Sequence, residues 1–282
     1  MKQAANALGK RRQKSTNQAA FVFLLPVMVI MCVFIFYPIV DSFRISTLEW
    51  NGISAEKTFI GLDNWIKLVQ DKNFWMAFRN NIIIMVLSIA IQIPIGVAEA
   101  TFIEFAGKKS TIFKVLWFIP MLMSSVAIGF LFTYALASNG GIVSTISQLF
   151  GGGNIDLLGN PKTALITVIF VIAWQFVPFY MVYTMAAYTN ISEDVYEASL
   201  IDGATKGQYF WKIALPLLTP SLKSAAILSM VGSLKYFDLI YVMTGGGPGN
   251  STELMATYMY KKAFTEFNMG YGSAAAGGMF LL

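Results

Sequence analysis

The chain has 282 residues, of which 56% are hydrophobic and 12% charged, with a net charge of +5 at neutral pH. A soluble domain of this size cannot bury so many apolar side chains, so the composition indicates an integral membrane protein. The chain has no histidine and one cysteine, Cys32, which excludes intrachain disulfides, histidine metal sites and Ser-His-Asp triads. The Lys and Arg excess suits cytoplasmic loops better than nucleic-acid binding, so no nucleic-acid partner is expected.

A basic tail, residues 1–20, precedes the first apolar run at residues 21–40. That run exceeds the core of a typical signal peptide, and no small-x-small cleavage site follows it, so we interpret it as a retained transmembrane helix. The tail contains Lys10, Arg11, Arg12 and Lys14. Because positive residues are enriched on the cytoplasmic side, we expect a cytoplasmic N-terminus.

Further long, nearly charge-free stretches predict the remaining spans, because a bilayer core of about 30 Å needs about 20 apolar residues. The predicted fold is an all-α polytopic membrane protein with six transmembrane helices, the sixth cut short. The approximate spans are 21–43, 81–104, 113–136, 163–188, 222–244 and 269–282. The last stretch reaches only about 20 Å, so we expect the natural chain, or its ordered part, to continue past Leu282.

The loops between the spans differ in character. Residues 44–79 mix both signs of charge with three tryptophans, which predicts an ordered, partly interfacial segment. Residues 139–162 contain three consecutive glycines, which predicts a flexible turn region.

The segment 190–217, between the fourth and fifth spans, is longer than a simple connection requires. Ser192 predicts a helix N-cap, Gly203 a helix end, and a second amphipathic stretch follows until Pro216 ends it. Periodicity alone allows an amphipathic helix lying on the membrane surface equally well.

The residues of this segment resemble the EAA loop of ABC importer permeases. Glu197-Ala198-Ser199 is followed by Gly203 after three residues, by Ile213 after nine more, and then by Leu215-Pro216, with Ser199 in place of the usual second Ala. FIGLDNW at residues 59–65, the run 74–81 and YFDLIYVMTGGGP at residues 236–248 are similar to carbohydrate-type permeases of the maltose and multiple-sugar class. The resemblance covers nearly the whole chain from Phe21.

The resemblance implies a type I importer permease domain over residues 21–282 in the cytoplasmic membrane of a prokaryote, with a coupling helix that inserts into a cleft of an ATPase subunit. The implied coupling residues are Glu197, Ala198, Ser199, Asp202, Gly203, Ile213 and Pro216. Implied partners are a second homologous permease subunit, two copies of a cytoplasmic ABC ATPase, an extracytoplasmic solute-binding protein and membrane lipid.

The chain carries no phosphate-binding loop of the form G-x-x-x-x-G-K-[ST]. The nearest string, at residues 107–111, lacks the upstream glycine and has Lys109 where Ser or Thr should follow. We therefore expect no enzyme activity and no bound cofactor in this chain, with ATP and Mg held by partner subunits.

Sugar recognition needs aromatic faces and neutral polar groups, and the fourth and fifth spans offer both. Interhelical packing is the alternative role for the same side chains. The candidate residues of the substrate path are Trp174, Gln175, Phe179, Ser229, Ser233, Lys235, Tyr236 and Asp238. Lys235 and Asp238 are costly inside a span and lie three apart on the predicted helix, so they form either a structural pair or a ligand contact.

No Arg lies within the predicted spans, which favours an uncharged solute over a phosphorylated one. A permease for a polyol or glycerol phosphate stays open as an alternative. A secondary transporter would share the spans but would not require the EAA-like loop, and it would usually carry charged relay residues in several helices.

Overall fold

The computed structural model describes residues 21–282, except for the side chains of Lys108 and Lys109, so the basic tail of residues 1–20 lies outside the described residues. This part of the chain is helical, with one two-stranded hairpin. In chain order the elements are α1 (Phe21–Ile45), β1 (Leu48–Glu49), β2 (Thr58–Phe59), α2 (Asp63–Gln70), α3 (Lys72–Ala106), α4 (Thr111–Leu122), α5 (Ser125–Ala135), α6 (Ile142–Leu149), α7 (Ala164–Tyr188), α8 (Glu193–Ile201), α9 (Lys206–Leu234), α10 (Asp238–Met243), α11 (Met255–Tyr260) and α12 (Met269–Leu281).

Four helices, α1, α3, α7 and α9, are long and apolar enough to cross a membrane, and the pair α4 and α5 makes a fifth span if its two bent parts count as one. The described chain is therefore a multi-pass membrane protein. α12 has 13 residues, so the sixth span stays a prediction. α3 has 35 residues and begins at Lys72, nine positions earlier than the apolar pattern predicted.

Two compact units make up the chain, one of residues up to Gln70 with Lys261–Leu282 and one of Asp71–Tyr260. In the first unit, the FIGLDNW segment, residues 59–65, donates hydrogen bonds to the chain at the start of the β1–β2 hairpin. Asn64, which is buried, donates from Nδ2 to the carbonyl oxygens of Ser46 (2.9 Å) and Leu48 (3.0 Å). Trp65 donates from Nε1 to Ser46 Oγ at 2.9 Å. Within the segment 44–79, which was predicted to be ordered, these hydrogen bonds from Asn64 and Trp65 hold the chain around Ser46 and Leu48 in place.

The core of the second unit lies where α3 packs along α7 and against α9. Gly96 lets α3 approach α7 closely, because it has no side chain. A Cβ built there would lie 2.7 Å from Tyr180 Cβ and 2.8 Å from the backbone N of Met181 on α7. Membrane helices commonly meet at such small residues, since packing rather than hydrophobic burial holds them together. The largest cluster of buried apolar side chains comprises Ile84, Ile128, Val168, Ile169, Val171, Ile172, Leu239, Ile240, Met243 and Leu254.

The predicted third span, residues 113–136, is wrong as one continuous helix. α4 and α5 are bent by 95° at a short break. Pro120 lies near the end of α4 and removes a backbone donor, and Met123 and Ser124 then adopt extended backbone with ψ of 147° and 135°. Ile128 of α5 is fully buried, so core packing fixes the direction of the second half.

The predicted fifth span, residues 222–244, is also wrong as one helix. α9 ends at Leu234, and α10 begins only at Asp238 after a break in which Phe237 has φ −138° and ψ −64°. The break lets one face of α10 enter the core instead of following the axis of α9. The buried residues of α10 are Leu239, Ile240 and Met243. Tertiary packing therefore overrides the apolar pattern of this stretch.

Pro216 does not end the second stretch of the 190–217 segment, so this prediction is wrong. α9 runs through Pro216 without a stop, and a wider π turn at Phe210–Ala214 precedes the proline. The backbone N–H of Leu215 donates to the carbonyl of Phe210, five residues back. A proline clashes with the carbonyl four residues earlier, and the widened turn relieves that clash, so the helix continues.

The segment 139–162 is more ordered than its glycines predicted. It contains α6, and Ser144 in that helix binds the backbone of the chain that follows the helix, at Ile155. Ser144 Oγ accepts from the backbone N–H of Ile155 and donates to its carbonyl oxygen, both at 3.1 Å. The three consecutive glycines lie after the end of α6.

Candidate coupling loop and translocation path

α8 is a short capped helix between the long helices α7 and α9. The side chain of Ser192 accepts a hydrogen bond from the backbone N–H of Asp194 at 3.3 Å. Glu193 and Asp194 lie in the first turn, where negative charge is favourable against the helix dipole. The sequence prediction of a helix start at Ser192 is therefore confirmed.

A tight turn separates α8 from α9. Gly203 has φ +76°, a conformation that residues with a Cβ rarely adopt. The N–H of Ala204 donates to the carbonyl of Ser199 at 2.9 Å, which closes the end of α8. Thr205 and Gln208 then cap each other's backbone at the start of α9. The turn therefore holds α8 in a fixed direction relative to α9.

The inner face of α8 packs against other helices of the same chain. Ser199 is 4% exposed, and its Oγ donates to the carbonyl of Tyr196 at 2.6 Å. The Tyr196 ring lies 4.8 Å from the ring of the buried Tyr209 on α9, and Tyr209 in turn contacts Phe105 of α3. Ser199, one of the implied coupling residues, is therefore packed inside this chain and does not face outward.

The outer face of α8 is exposed and combines negative charge with apolar surface. Glu197, Ala198 and Asp202 are exposed. Ile201 is 87% exposed and Leu200 49% exposed, in a helix that buries Ser199 and half-buries Tyr196. An exposed apolar and acidic patch on an anchored element is typical of a protein-docking surface.

The remaining two predicted coupling residues lie on α9. Ile213 is half-buried and packs against the same apolar cluster as Tyr196. Pro216 is exposed on the continuing helix. Within the predicted set, α8 and its turn therefore supply the outward-facing groups, and Ile213 supports them from inside.

Gln175 is the most deeply placed polar group of the predicted substrate path on α7. It is 3% exposed, and its Nε2 donates to Ser125 Oγ on α5 at 3.1 Å. Its Oε1 is buried without a hydrogen-bond partner in the described part of the chain. A buried amide with an open acceptor has capacity for a further ligand or water.

Around Tyr236 the structure gathers polar side chains from several helices. Tyr236 interacts with Ser88 and Gln92 of α3, both fully buried, and with Tyr180 of α7. Tyr180 interacts with Ser229 of α9. Four buried polar atoms of these residues have no hydrogen-bond partner of normal geometry among the described residues: Ser88 Oγ, Gln92 Nε2, Gln92 Oε1 and Ser229 Oγ. We call Ser88, Gln92, Tyr180, Ser229 and Tyr236 the polar cluster.

Ser88 and Gln92 were missed by sequence reasoning. Their separation of four residues puts them on one face of α3, within a stretch that otherwise looks like an uninterrupted membrane span. That spacing was the available signal. Ser233, by contrast, is satisfied, because its Oγ donates to the carbonyl of Ser229 at 2.7 Å.

The predicted aromatic residues of the path pack against other rings. Trp174 lies 5.2 Å from Phe132 in an edge-to-face arrangement, and Phe179 lies 5.1 Å from Tyr180. Both side chains are half-buried. Phe179 therefore borders the polar cluster, whereas Trp174 packs against the apolar core.

Lys235 and Asp238 do not share a helical face, which corrects the sequence prediction. Lys235 follows the last residue of α9, and Asp238 begins α10 after the break. Both are exposed, and they form no ion pair with each other within the described side chains. A structural pair between them inside one span is therefore excluded for this conformation.

Glu99 is an acidic residue inside the predicted second span, and the sequence analysis did not include it among the candidate residues. It lies within α3 and interacts with Trp117 of α4. Its Oε2 is buried and has no partner among residues 21–282. Among these residues, no group of three or more His, Cys, Asp or Glu is placed to hold a metal ion.

Comparison with known proteins adds relatives along nearly the whole chain. One relative, the "Probable ABC transporter permease protein YurN" of Bacillus subtilis (strain 168), is 34% identical over 91% of this chain and 89% of its own. The "Trehalose/maltose transport system permease protein MalF" of Thermococcus litoralis is 29% identical over 96% of this chain and 91% of its own.

A solved structure shares the fold. It is a crystal structure of a bacterial alginate ABC transporter in complex with a periplasmic protein that binds an alginate pentasaccharide, and one of its chains is similar with a TM-score of 0.83 at 20% identity. The match covers 96% of this chain and 91% of the other. A family model described as "Binding-protein-dependent transport system inner membrane component" matches residues 92–282. The chain therefore belongs to the family of inner membrane components of binding-protein-dependent transport systems.

Proposed function

We propose that this chain is a permease subunit of an ATP-binding-cassette importer and forms half of the path for a sugar or oligosaccharide. An extracytoplasmic binding protein delivers the solute, a second homologous permease completes the path, and two cytoplasmic ATPase subunits supply the energy. The N-terminus is cytoplasmic, and this chain binds no ATP or other cofactor itself.

The observation that carries the proposal is the anchored, outward-facing α8. Its outer face presents Glu197 and Ile201, while on its inner face Ser199 is buried and Tyr196 packs on Tyr209 of α9, in one apolar cluster with Tyr188 of α7. A force on α8 therefore passes directly to α7 and α9, because rigid packed elements move together. This is the mechanical property that a helix coupled to an ATPase requires.

The packing of the helix ends indicates that the loops after α3 and α7 lie on the same side of the membrane. Phe105 at the end of α3, Tyr188 at the end of α7 and Tyr209 at the start of α9 belong to one apolar cluster. The segment after α3 contains Lys108 and Lys109, so positive charge accumulates on the same side as α8. The positive-inside rule makes this side the cytoplasmic one.

Sugar as the substrate class is supported by the relatives and by the chemistry of the interior. Relatives are named for trehalose and maltose, for multiple sugars and for lactose transport. Gln175 and the polar cluster are neutral hydrogen-bonding groups, and Tyr180 of the cluster lies beside the aromatic ring of Phe179. Neutral donors and acceptors next to aromatic faces suit hydroxyl-rich solutes.

The test is reconstitution of the complete importer in lipid nanodiscs. We expect ATP hydrolysis to be stimulated by the binding protein loaded with an oligosaccharide and not by the empty binding protein. If this chain forms no complex with a second permease and an ATPase, the transporter architecture is wrong. If a complex forms and no oligosaccharide stimulates it, the sugar class is wrong.

A substitution at Gln175 tests the substrate path. We expect Gln175→Leu to raise the KM for sugar uptake about tenfold, because a lost hydrogen bond to a hydroxyl in a dry site is worth about 1.4 kcal/mol or more. Leu has nearly the same volume, and the removal of a buried unpaired acceptor offsets the lost hydrogen bond to Ser125, so stability should hold.

The control for this substitution is Gln148→Leu, an exposed glutamine on α6. The basal ATPase rate of both variants should match the parent protein. An unchanged uptake KM in Gln175→Leu would remove this residue from the path and leave it a packing role with Ser125.

A further inference from the structure

A cavity of about 570 Å³ opens beside α8, at the ends of α3, α7 and α9. Four aromatic side chains and two carboxylates are among the residues that line it. The lining residues are Glu104, Phe105, Ala106, Gly107, Tyr188, Thr189, Ile191, Ser192, Glu193, Tyr196 and Tyr209. We call this space the tyrosine cavity.

The aromatic walls of the cavity are fixed. Tyr188 and Tyr209 are 5% and 4% exposed, and the Tyr188 hydroxyl lies 2.9 Å from Thr101 Oγ1. Tyr196 packs edge to face on Tyr209. These rings form a rigid surface before any partner binds, so binding costs little ordering of the site.

Two carboxylates lie at this aromatic surface. Glu104 is exposed and lines the cavity together with Tyr188 and Tyr209. Glu193 is exposed in the first turn of α8. A carboxylate beside aromatic faces is the arrangement that holds a guanidinium or an ammonium group, because hydrogen bonding and cation–π attraction act together.

The structure already shows a cation against this aromatic surface. Lys206 Nζ lies 5.3 Å from the centroid of the Phe105 ring and donates to the Phe105 carbonyl at 3.3 Å. Lys206 itself is exposed and is not among the residues that line the cavity, so its side chain does not fill the cavity.

We propose that the tyrosine cavity receives an arginine or lysine side chain of the cytoplasmic ATPase subunit, as a second contact next to α8. This inference rests on the proposed function, because it takes the ATPase as the protein that covers α8. Glu193 lies four residues before Glu197 on the same face of α8, so a protein seated on Glu197 also reaches the mouth of the cavity. The negative and aromatic lining selects a basic group from that protein.

The substitution Glu104→Gln tests the proposal, because it removes the charge and keeps the shape. We expect the purified ATPase to bind the permease complex in nanodiscs about tenfold more weakly, with the difference shrinking at high salt. Glu104→Asp should restore part of the affinity. The control is Glu56→Gln, an exposed carboxylate in the other unit, which should leave the affinity unchanged.

Cross-linking supplies the second measurement. Cys32 is the single cysteine, so Thr189→Cys in a Cys32→Ala background carries one benzophenone maleimide at the cavity wall. We expect light to join this position to an ATPase peptide containing Arg or Lys.

Two outcomes would overturn the inference: an unchanged affinity of Glu104→Gln, or cross-links only to lipid or to this chain. A parent complex that never binds an ATPase would instead refute the proposed function.

Discussion

We expect the variant Glu197→Lys to lose sugar-stimulated ATP hydrolysis by at least about tenfold in the reconstituted importer. Glu197 is exposed on the outer face of α8, whose inner face packs through Tyr196 on Tyr209 of α9. Reversing its charge places a lysine opposite whatever basic group it meets on the ATPase, and like charges at an interface cost several kcal/mol. The measurement is the ATPase rate with and without loaded binding protein.

The matched control is Asn190→Lys, an exposed position between α7 and α8 that adds a positive charge to the same loop. It should keep most of the stimulation. If Glu197→Lys retains both assembly and stimulation, α8 is not the coupling element. If both variants fail equally, the loop responds to charge in general and the specific role of Glu197 is refuted.

The second large effect is expected at the crossing of α3 and α7. Gly96→Val should lower the free energy of unfolding by roughly 3 kcal/mol, because overpacked sites that meet backbone have no flexible neighbour to displace. The added atoms would collide with Tyr180 Cβ and with the backbone of Met181. The measurement is the thermal unfolding midpoint of the purified protein in detergent.

Gly232→Val is the control, because a Cβ at Gly232 on α9 has no atom within 4 Å. This variant should stay within about 0.5 kcal/mol of the parent protein, as substitutions without new contacts usually do. Equal unfolding midpoints for Gly96→Val and Gly232→Val would show that α3 and α7 do not cross at Gly96.

The apolar pattern predicted the spanning helices well where one helix is long and uniform. α1 and α7 match their predicted spans to within two residues. α3 is longer than predicted because charge alone does not stop a helix: it begins at Lys72 and includes Arg79, and both residues precede the predicted start at residue 81. An apolar stretch marks the part of a helix that meets lipid, and it does not mark the ends of the helix.

Bends escaped the pattern for a different reason. The stretches 113–136 and 222–244 are apolar throughout most of their length, yet each contains a change of direction. Hydrophobicity is the same on both sides of each break. The burial of Ile128 in one case, together with the break at Pro120, and the burial of Ile240 in the other favour the broken form.

The candidate site divides in the same way. The helix cap at Ser192 and the turn at Gly203 follow from local chemistry, and both were predicted from residue type. The partition of α8 into a buried face with Ser199 and an exposed face with Glu197 required the packing of Tyr196 on Tyr209. Ser88 and Gln92 joined the site only because α3 folds beside Tyr236.

The sequence by itself determined that this chain belongs in a membrane and that its 190–217 segment resembles a coupling loop. Composition suffices for the first, and residue types at fixed spacings suffice for the second. Only the tertiary structure decided where spans break, which face of α8 is free, and that a rigid aromatic cavity with two carboxylates adjoins it. Those features depend on contacts between residues far apart in the chain, such as Phe105 with Tyr209, which no local pattern records.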